Sequence, residues 1–544
     1  MTSPPAAAGH RMKDTVSTTM TRGETADAVG YRWESTLWRM IERRAADAPD
    51  SVLVTDEKGN VVTAAEFRDR AVRLAAGLRE RGVGPASVVS WQLPSNIEAM
   101  LVFAALLRLD VVQNPLIPML REPEVDFITA QAETTMLIVP REFRRFGHGA
   151  MAAAIAARRT GLEVLIVDDG LPEGDPATLP EAVAESGEDI RWLFYTSGTT
   201  AEPKGAMHCD RSLIAGARVF TRAVRPAAND RIASVAPMAH VGGILYFLGA
   251  LVSGARLIIT EIFDPVATTH QLSEARVTLC GSGVPFIQGF LAEQRRQSDI
   301  PLFPDVKAFL IGGSTRMASL HTAARDELGG IGVVSGYGAT EAPFSCWGSI
   351  DDDDLHHAIA DGRPAEGVDI RVVREDGSLA DSGESGEVRI KGPTVMLGYV
   401  DASLDDAAFD DDGYFRTGDL AYLDEERYLI ISGRIKDVII RNMENISARE
   451  VELPIIDHPA VLIASVIGLA DEKTGERICA VVVPADAERP LTLEELCEHL
   501  KATGLNPRKL PVQLEIVDEL PLNAMGKVMK QALREQFVAR DGAE

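Results

Sequence analysis

The amino-acid sequence predicts an α/β protein: a large N-terminal domain of doubly wound α/β subdomains plus a small β-barrel, followed by a small C-terminal α/β domain. Its 544 residues are too many for a single hydrophobic core. Short apolar segments alternate with amphipathic helix patterns as far as Val334, which is typical of parallel sheets. After Ser349 the chain changes to short strands separated by Gly and Asp turns, which favours a barrel or an antiparallel sheet.

The first long helix is predicted to begin after Thr63. Thr63-Ala-Ala-Glu66 is a capping-box sequence, and Gly82 is the residue type that commonly ends a helix. The apolar face of this helix contains Phe67, Ala71, Leu74 and Leu78. A strand at 88–93 and a helix at 97–109 follow. Further strands are predicted at 136–139, 164–167, 192–195, 231–235, 257–260, 277–279, 308–311 and 333–334.

The C-terminal part has apolar segments of its own. Predicted strands lie at 370–373, 387–390, 461–469 and 478–483. A domain boundary is predicted near Gly433, because the remaining residues are enough for a small domain. Residues 1–30 mix Pro, Ala, Ser, Thr and charged residues without the apolar core of a signal peptide, which predicts a disordered leader. The expected domains are 1–30, 31–433 and 434–544.

Composition excludes several classes of partner. The net charge is −26, from 81 acidic and 55 basic side chains, so nucleic acid and anionic membranes should be repelled. The five cysteines form no Cys-x-x-Cys pair, which argues against a metal or disulfide framework and favours a reducing cytoplasm. The longest apolar runs, near 100–107 and 241–252, are too short to cross a bilayer. The oligomeric state stays open, a homodimer included.

The most informative stretch is a hydroxyl-rich turn with a lysine behind it. The turn consists of Thr196, Ser197, Gly198, Thr199 and Thr200. Hydroxyls and amides around a glycine form a nest for anions, and Lys204 adds a positive charge. Pro203 stiffens the chain before that lysine. The pattern predicts polyphosphate binding, although it is not a Walker A loop; the alternative is a Ser/Thr-rich surface turn.

A second constellation, Tyr337-Gly-Ala-Thr-Glu341, combines an aromatic ring, a hydroxyl and a carboxylate within five residues. The ring could stack on a base, the hydroxyl of Thr340 could meet a phosphate, and Glu341 offers the oxygen ligand that Mg²⁺ prefers. By itself this segment is equally well explained as a Tyr-Gly turn with a surface glutamate.

Taken in order, these segments resemble the signatures of the adenylate-forming superfamily, which includes acyl-CoA synthetases, peptide-synthetase adenylation domains and beetle luciferases. The turn at 196–204 resembles the family's phosphate-binding signature. Four more segments resemble its later signatures: 337–341, 414–419, 433–437 and 523–527. The five motifs fall in the family's order between residues 196 and 527.

The resemblance implies roles for individual residues, with ATP, Mg²⁺ and coenzyme A as cofactors. The turn at 196–200 and Lys204 would hold the β- and γ-phosphates, and Gly312, Gly313 and Tyr337 would also contact the nucleotide. Thr340 would contact the α-phosphate, while Glu341 and Thr196 would bind the metal. Asp419 would accept hydrogen bonds from the ribose, and Arg434 would lie near ribose or phosphate. Lys436 would form the hinge of a mobile C-terminal domain, from which Lys527 would reach the acyl carboxylate.

Four positions depart from the family pattern. Ala201 replaces a usual glycine in the phosphate turn, and Gly336 stands where a polar residue commonly precedes the tyrosine. The loop at 444–447 resembles the one that lines the pantetheine tunnel of acyl-CoA synthetases, but Asn442 and Met443 precede it in place of glycines.

Fewer sequence features indicate which carboxylic acid the protein would use. The segment 236–243, with His240, resembles one that borders the acyl pocket of the family, and a core histidine is the alternative. Small residues that would leave the pocket roomy are Gly242, Gly243, Gly283, Gly312, Gly313 and Ala339. No acidic residue lies between Val235 and Arg256, which disfavours an amino acid. Fatty, alicyclic or steroid-like acids fit better than acetate.

The expected activity is that of an acyl-CoA synthetase, which makes an acyl-AMP and then a CoA thioester. Three alternatives stay open: an acyl-AMP ligase that loads a carrier protein, a luciferase-like oxygenase, and a non-catalytic nucleotide-binding protein. The last is disfavoured by the presence of Lys204, Glu341 and Lys527.

Overall fold

The protein has a large N-terminal domain and a smaller C-terminal domain, both α/β, in the computed structural model. The structure describes residues 25–26, 30–182, 187–196, 202–297, 300–313, 317–442, 444–471, 473–486, 488–522 and 528–541. The α/β class and the division into a large and a small domain confirm the sequence prediction. The predicted leader at 1–30 lies outside the described residues except for 25–26 and 30.

The strands are numbered in chain order: β1 (Thr25–Ala26), β2 (Arg32–Trp33), β3 (Val52–Thr55), β4 (Val61–Thr63), β5 (Val88–Trp91), β6 (Val112–Pro115), β7 (Met136–Val139), β8 (Glu163–Ile166), β9 (Ile190–Thr196), β10 (Lys204–Cys209), β11 (Arg231–Ser234), β12 (Arg256–Ile259), β13 (Leu279–Ser282), β14 (Ala308–Gly312), β15 (Val333–Ala339), β16 (Ala342–Trp347), β17 (Arg363–Pro364), β18 (Asp369–Val373), β19 (Gly386–Lys391), β20 (Phe415–Leu423), β21 (Leu429–Arg434), β22 (Val438–Arg441), β23 (Glu444–Ser447), β24 (Val461–Asp471), β25 (Gly475–Pro484) and β26 (Gln513–Ile516).

The helices are α1 (Leu37–Asp47), α2 (Ala64–Glu80), α3 (Ile97–Arg108), α4 (Glu122–Gln131), α5 (His148–Ala157), α6 (Asp210–Val224), α7 (Val241–Ser253), α8 (Ala267–Glu274), α9 (Val284–Arg296), α10 (Ala318–Ala323), α11 (Asp354–Ile359), α12 (Asp405–Ala408), α13 (Ala448–Ile456), α14 (Leu493–Ala502) and α15 (Lys530–Asp541).

Two largely parallel sheets form the body of the N-terminal domain. The six-stranded sheet has the order β10-β9-β6-β5-β7-β8, and only β10 runs antiparallel to its neighbour. The nine-stranded sheet has the order β17-β16-β15-β14-β13-β11-β12-β3-β4, in which the strands from β15 to β3 are parallel. The alternation of strands and helices in the sequence thus becomes parallel sheets covered by helices.

Helices packed between these sheets form the main hydrophobic core. The rings of Phe67 on α2 and Phe103 on α3 lie 5.7 and 5.6 Å from that of Phe247 on α7. Thr63 and Asn96 begin α2 and α3, because each side chain accepts a hydrogen bond from the first turn. Nearly all of α3 is buried, as expected for a helix that is apolar on every side.

The remaining sheets are small. Strands β18 to β21 form a four-stranded antiparallel sheet, which matches the change of pattern after Ser349. Strands β22 to β26 form a separate five-stranded sheet, with one apolar cluster drawn entirely from residues 439–500. Helix α13 joins the two domains, since Leu453 and Ile456 pack against the N-terminal core around Phe290.

Candidate active site

The predicted phosphate turn lies between two paired strands. Thr196 at the end of β9 and Lys204 at the start of β10 are register partners, so the strands return the chain to the same place. Ser197, Gly198, Thr199 and Thr200, together with Ala201, lie outside the described residues. The Lys204 ammonium is 5.8 Å from the ring centroid of Tyr399, which is within the range of a cation–π contact.

The Thr340-Glu341 pair forms a hairpin turn between β15 and β16. Ala339 and Ala342 are register partners, so these two residues are the whole connection. A carboxylate oxygen of Glu341, Oε1, accepts a hydrogen bond of 2.9 Å from the Tyr399 hydroxyl. Tyr399 therefore contacts both Lys204 and Glu341, which are far apart in the sequence.

Two predicted nucleotide-binding residues, Tyr337 and Arg434, contact the carboxylate of a third, Asp419. The Tyr337 hydroxyl donates to Asp419 Oδ2 at 2.8 Å, and Arg434 Nε lies 2.8 Å from Oδ1. The ion pair follows from strand register, because Asp419 and Arg434 are direct partners in β20 and β21. Each carboxylate oxygen keeps a further lone pair for another donor.

Electrostatics favour a neutral phenol and a charged guanidinium at this cluster. Burial, and then the charge of Asp419, raise the pKa of Tyr337. The Asp419 charge raises the pKa of Arg434. Lys436, on the short 3₁₀ turn Ile435–Asp437, has its pKa lowered by desolvation and by the charge of Arg434.

His208 connects the phosphate hairpin to the Thr340-Glu341 turn, and sequence reasoning missed it. Its Nε2 donates to the Thr340 carbonyl at 2.8 Å, and Nδ1 lies 2.9 Å from Ser212 Oγ. The ring is fully buried, and burial lowers its pKa to about 4, so it is neutral near pH 7. Strand periodicity could have indicated His208, because alternate residues of a strand share a face and His208 therefore lies on the same face of β10 as Lys204.

Three glycines, Gly281, Gly312 and Gly336, lie in neighbouring strands of the nine-stranded sheet, on β13, β14 and β15. Gly312 and Gly336 are register partners in parallel strands and therefore open onto the same face. Trp347, directly opposite Gly336 in β16, covers it, because a Cβ at Gly336 would lie 2.1 Å from the indole. At Gly312 the nearest atom to a Cβ would be the Gly336 oxygen at 3.5 Å, so the space above it is open.

Helix α7 packs against the same sheet beside these glycines. His240 caps the helix, with Nδ1 accepting from the Gly242 amide at 3.2 Å. Tyr246, one turn beyond Gly242, covers Gly281 on β13, where a Cβ would lie 2.8 Å from its ring. Gly281 lies on the same face of the sheet as Gly312, because its β14 partner is two residues before Gly312.

The small residues that were predicted to line the acyl pocket differ in how much space lies beside them. A Cβ at Gly283 would lie 3.4 Å from Phe286, an ordinary contact. Gly243, in contrast, is needed for packing, since a Cβ there would lie 2.5 Å from the Pro237 oxygen. Gly313 has a φ of +69°, which favours glycine.

Some predicted residues are outside the part of the chain that the structure describes. Lys527 and Met443 are among them. Within the described residues, no group of three or more His, Cys, Asp or Glu side chains could hold a metal, and no helix is long and apolar enough to cross a membrane.

The chain is similar to known proteins over most of its length. The family model described as AMP-binding enzyme matches residues 41–400, and the AMP-binding enzyme C-terminal domain matches residues 450–527. A medium-chain fatty-acid–CoA ligase of Escherichia coli is 29% identical over 92% of this chain and 90% of its own length. A feruloyl-CoA synthase of Amycolatopsis is 33% identical over 91% of this chain and 98% of its own. The crystal structure of ATP-bound MatB from Rhodopseudomonas palustris superposes with a TM-score of 0.82 at 27% identity, covering 93% of this chain and 99% of that one.

Proposed function

The chain belongs to the AMP-binding enzymes, the acyl-CoA synthetase family of the adenylate-forming superfamily, and on this premise we propose that it joins a bulky hydrophobic carboxylic acid to coenzyme A with ATP. The observation that carries the proposal is that Tyr337 and Arg434 both contact the Asp419 carboxylate. The acids proposed are fatty, alicyclic or steroid-like, and the products are the thioester, AMP and pyrophosphate.

The first half-reaction activates the acid. A carboxylate is a poor electrophile because its leaving group would be oxide. Its oxygen instead attacks the α-phosphorus of ATP, and pyrophosphate leaves with the bonding electron pair. Charge accumulates on the phosphates, so fixed positive groups and dipoles provide most of the catalysis. Lys204 would hold the outer phosphates, Thr340 and Lys527 the α-phosphate, and Asp419 the ribose hydroxyls.

The residues present fit a magnesium ion. Glu341 supplies a carboxylate, the type of ligand that Mg²⁺ prefers, and within the described residues only its Oε1 is engaged by another side chain. Glu341 and Thr196 would hold Mg²⁺. The ion would neutralise part of the negative charge on the phosphates.

The second half-reaction transfers the acyl group. The thiol of coenzyme A loses its proton to solvent and its sulfur attacks the acyl carbon. The bond between that carbon and the phosphate oxygen then breaks, and its electron pair leaves with AMP. No protein nucleophile is required. Adenylation needs Lys527 near the α-phosphate, whereas thioester formation needs it withdrawn, so we infer that the C-terminal domain rotates about Lys436.

The proposal is tested by incubating the protein with ATP, Mg²⁺, coenzyme A and a mixed panel of acids, and by identifying the thioesters by mass spectrometry. Thioesters of medium-chain and cyclic acids are expected in preference to acetyl-CoA. The acyl-AMP ligase alternative predicts acyl-AMP without thioester when coenzyme A is free, and product only when a carrier protein is supplied.

Substitution of Asp419 by Asn should raise the KM for ATP by about 10- to 100-fold, because hydrogen bonds to a charged acceptor contribute roughly 1.5–3 kcal/mol each. The amide cannot accept from two ribose hydroxyls as the carboxylate does, and it leaves the Arg434 charge without its partner. Steady-state kinetics at saturating acid measure the change. Tyr337→Phe, which removes one donor to Asp419, should raise KM less. An unchanged KM in Asp419→Asn would contradict the ribose assignment.

Filling the pocket at Gly283 should remove the preference for bulky acids. Gly283 has φ −139°, which any residue adopts, so Gly283→Val should fold. Each methylene that no longer fits should lower affinity about four-fold, from roughly 0.8 kcal/mol per buried methylene. The KM for acids of increasing length, with the KM for ATP as control, measures this. A uniform loss for all acids, or a wild type that prefers acetate, would exclude the pocket assignment.

A further inference from the structure

Tyr399 lies between the two segments to which the proposed function assigns the phosphates and the metal. Its hydroxyl donates to Glu341 Oε1 at 2.9 Å, and its ring centroid is 5.8 Å from the Lys204 ammonium. The side chain is only 5% exposed. One buried side chain therefore contacts both a candidate metal ligand and a candidate phosphate-binding cation.

The backbone around Tyr399 fixes this position. Segment 396–400 pairs with β10, since the Leu397 and Val400 amides donate to Met207 and Gly205 at 2.8 Å. At its other end the Met396 amide donates to the Glu341 carbonyl at 2.7 Å. The segment is thus hydrogen-bonded to the phosphate hairpin and to the Glu341 turn at the same time.

A carboxylate also orients the tyrosine itself. Asp405 Oδ1 accepts from the Tyr399 amide at 2.8 Å. The preceding Gly398 has a φ of +134°, and a Cβ there would lie 2.8 Å from Asp405, so glycine allows the carboxylate to approach. Asp405 therefore fixes the backbone of Tyr399, while Glu341 holds its hydroxyl.

The chemistry of this contact favours a neutral hydrogen-bond donor. A phenol is protonated at neutral pH, so the hydroxyl acts as the hydrogen-bond donor to the Glu341 carboxylate. The donated bond fixes one oxygen of Glu341. In the described part of the chain no hydrogen bond or ion pair engages the other oxygen, Oε2, which remains for a cation.

We propose that Tyr399 is a positioning residue that orients the Glu341 carboxylate for Mg²⁺ and holds it beside Lys204. The inference rests on the proposed function. Outer-sphere partners that orient a metal ligand commonly contribute 10- to 100-fold to metal affinity, and Tyr399 is such a partner for Glu341.

The test measures ATP binding with and without metal. Tyr399→Phe removes the hydroxyl and keeps the ring beside Lys204. Calorimetry should give a wild-type-like dissociation constant for ATP in EDTA, whereas the gain in affinity on adding Mg²⁺ should shrink about 10-fold or more. In ATP–pyrophosphate exchange, the Mg²⁺ concentration for half-maximal rate should rise correspondingly, and excess Mg²⁺ should restore the rate.

A matched control is Tyr428→Phe. Tyr428 is also buried and donates to a carboxylate, Asp352, at 2.6 Å, but it lies outside the candidate site. This variant should retain the full Mg²⁺-dependent gain. The double variant Glu341→Gln, Tyr399→Phe should bind ATP with Mg²⁺ no more weakly than Glu341→Gln alone, because the hydroxyl acts through the carboxylate.

The outcomes separate this inference from the proposed function. A wild type that neither binds ATP nor makes a thioester overturns the proposed function. An active wild type with an unchanged Mg²⁺-dependent gain in Tyr399→Phe overturns only the role of Tyr399. Equal weakening of ATP binding in EDTA and in Mg²⁺ identifies a general structural role and also overturns it.

Discussion

Lys527→Ala should slow acyl-AMP formation by about 10²–10³-fold, the usual scale for losing one electrostatic donor to a developing charge. The role of Lys527 rests on the family resemblance of residues 523–527, since the residue lies outside those that the structure describes. Thioester formation from preformed acyl-AMP should largely survive, because the proposed domain rotation would withdraw the lysine in that step. Single-turnover pyrophosphate release measures the first step, and acyl-CoA yield from synthetic acyl-AMP measures the second.

A nearby lysine provides the control for this variant. Lys530 at the start of α15 forms an ion pair of 2.7 Å with Glu452, so its charge already has a partner within the C-terminal domain. Lys530→Ala should leave the adenylation rate close to that of the wild type. If Lys527→Ala reduces both half-reactions equally, the assignment of this lysine to adenylation is wrong.

Lys436→Pro should retain most of the adenylation activity and lose most of the thioester formation. Hinges act through large φ/ψ changes in a few residues, and proline fixes its own φ near −65°. Proline also disfavours the helical region for the residue before it, and here that residue is Ile435, the first of the 3₁₀ turn. In the proposed function ATP and the acid would bind mainly to the large domain, so adenylation should depend less on this connection. Single-turnover pyrophosphate release and acyl-CoA yield are measured side by side.

Lys436→Ala separates the backbone effect from the effect of the charge. It removes the ammonium and leaves φ free, so it should keep more thioester formation than the proline variant. Circular dichroism establishes that both variants are folded. If pyrophosphate release and acyl-CoA yield fall together in Lys436→Pro, or if the yield is unchanged, residue 436 is not the pivot.

Much of the fold could be predicted from the sequence, because its signals are local. The cap at Thr63 and the apolar period that follows define α2, and β7 occupies the predicted residues 136–139. The predicted strand at 333–334 was too short, since β15 continues to Ala339. Its last residues contain two glycines and gain their strand geometry from pairing with β16, which no local apolar pattern indicates.

The candidate site likewise contains residues that the sequence indicated and one that it did not. The residue types at Lys204 and Glu341 indicated nucleotide chemistry because they carry the charge or oxygen that a phosphate or metal requires, whereas the role of Asp419 was implied by the family resemblance of residues 414–419. Tyr399 gave no signal, since a tyrosine after a glycine is ordinary in a loop. Its importance comes from hydrogen bonds between segments more than fifty residues apart.

The sequence alone determined the α/β class and the order of the motifs, because these depend on composition and short-range spacing. It also predicted which residues would bind phosphate. Only the tertiary structure decided which of them meet. Strand register brings Arg434 to Asp419 and Trp347 over Gly336, and pairing of segment 396–400 with β10 brings Tyr399 between Lys204 and Glu341. The physical reason is that register and strand order are selected by burial of whole faces against other segments, and no stretch of sequence contains that information by itself.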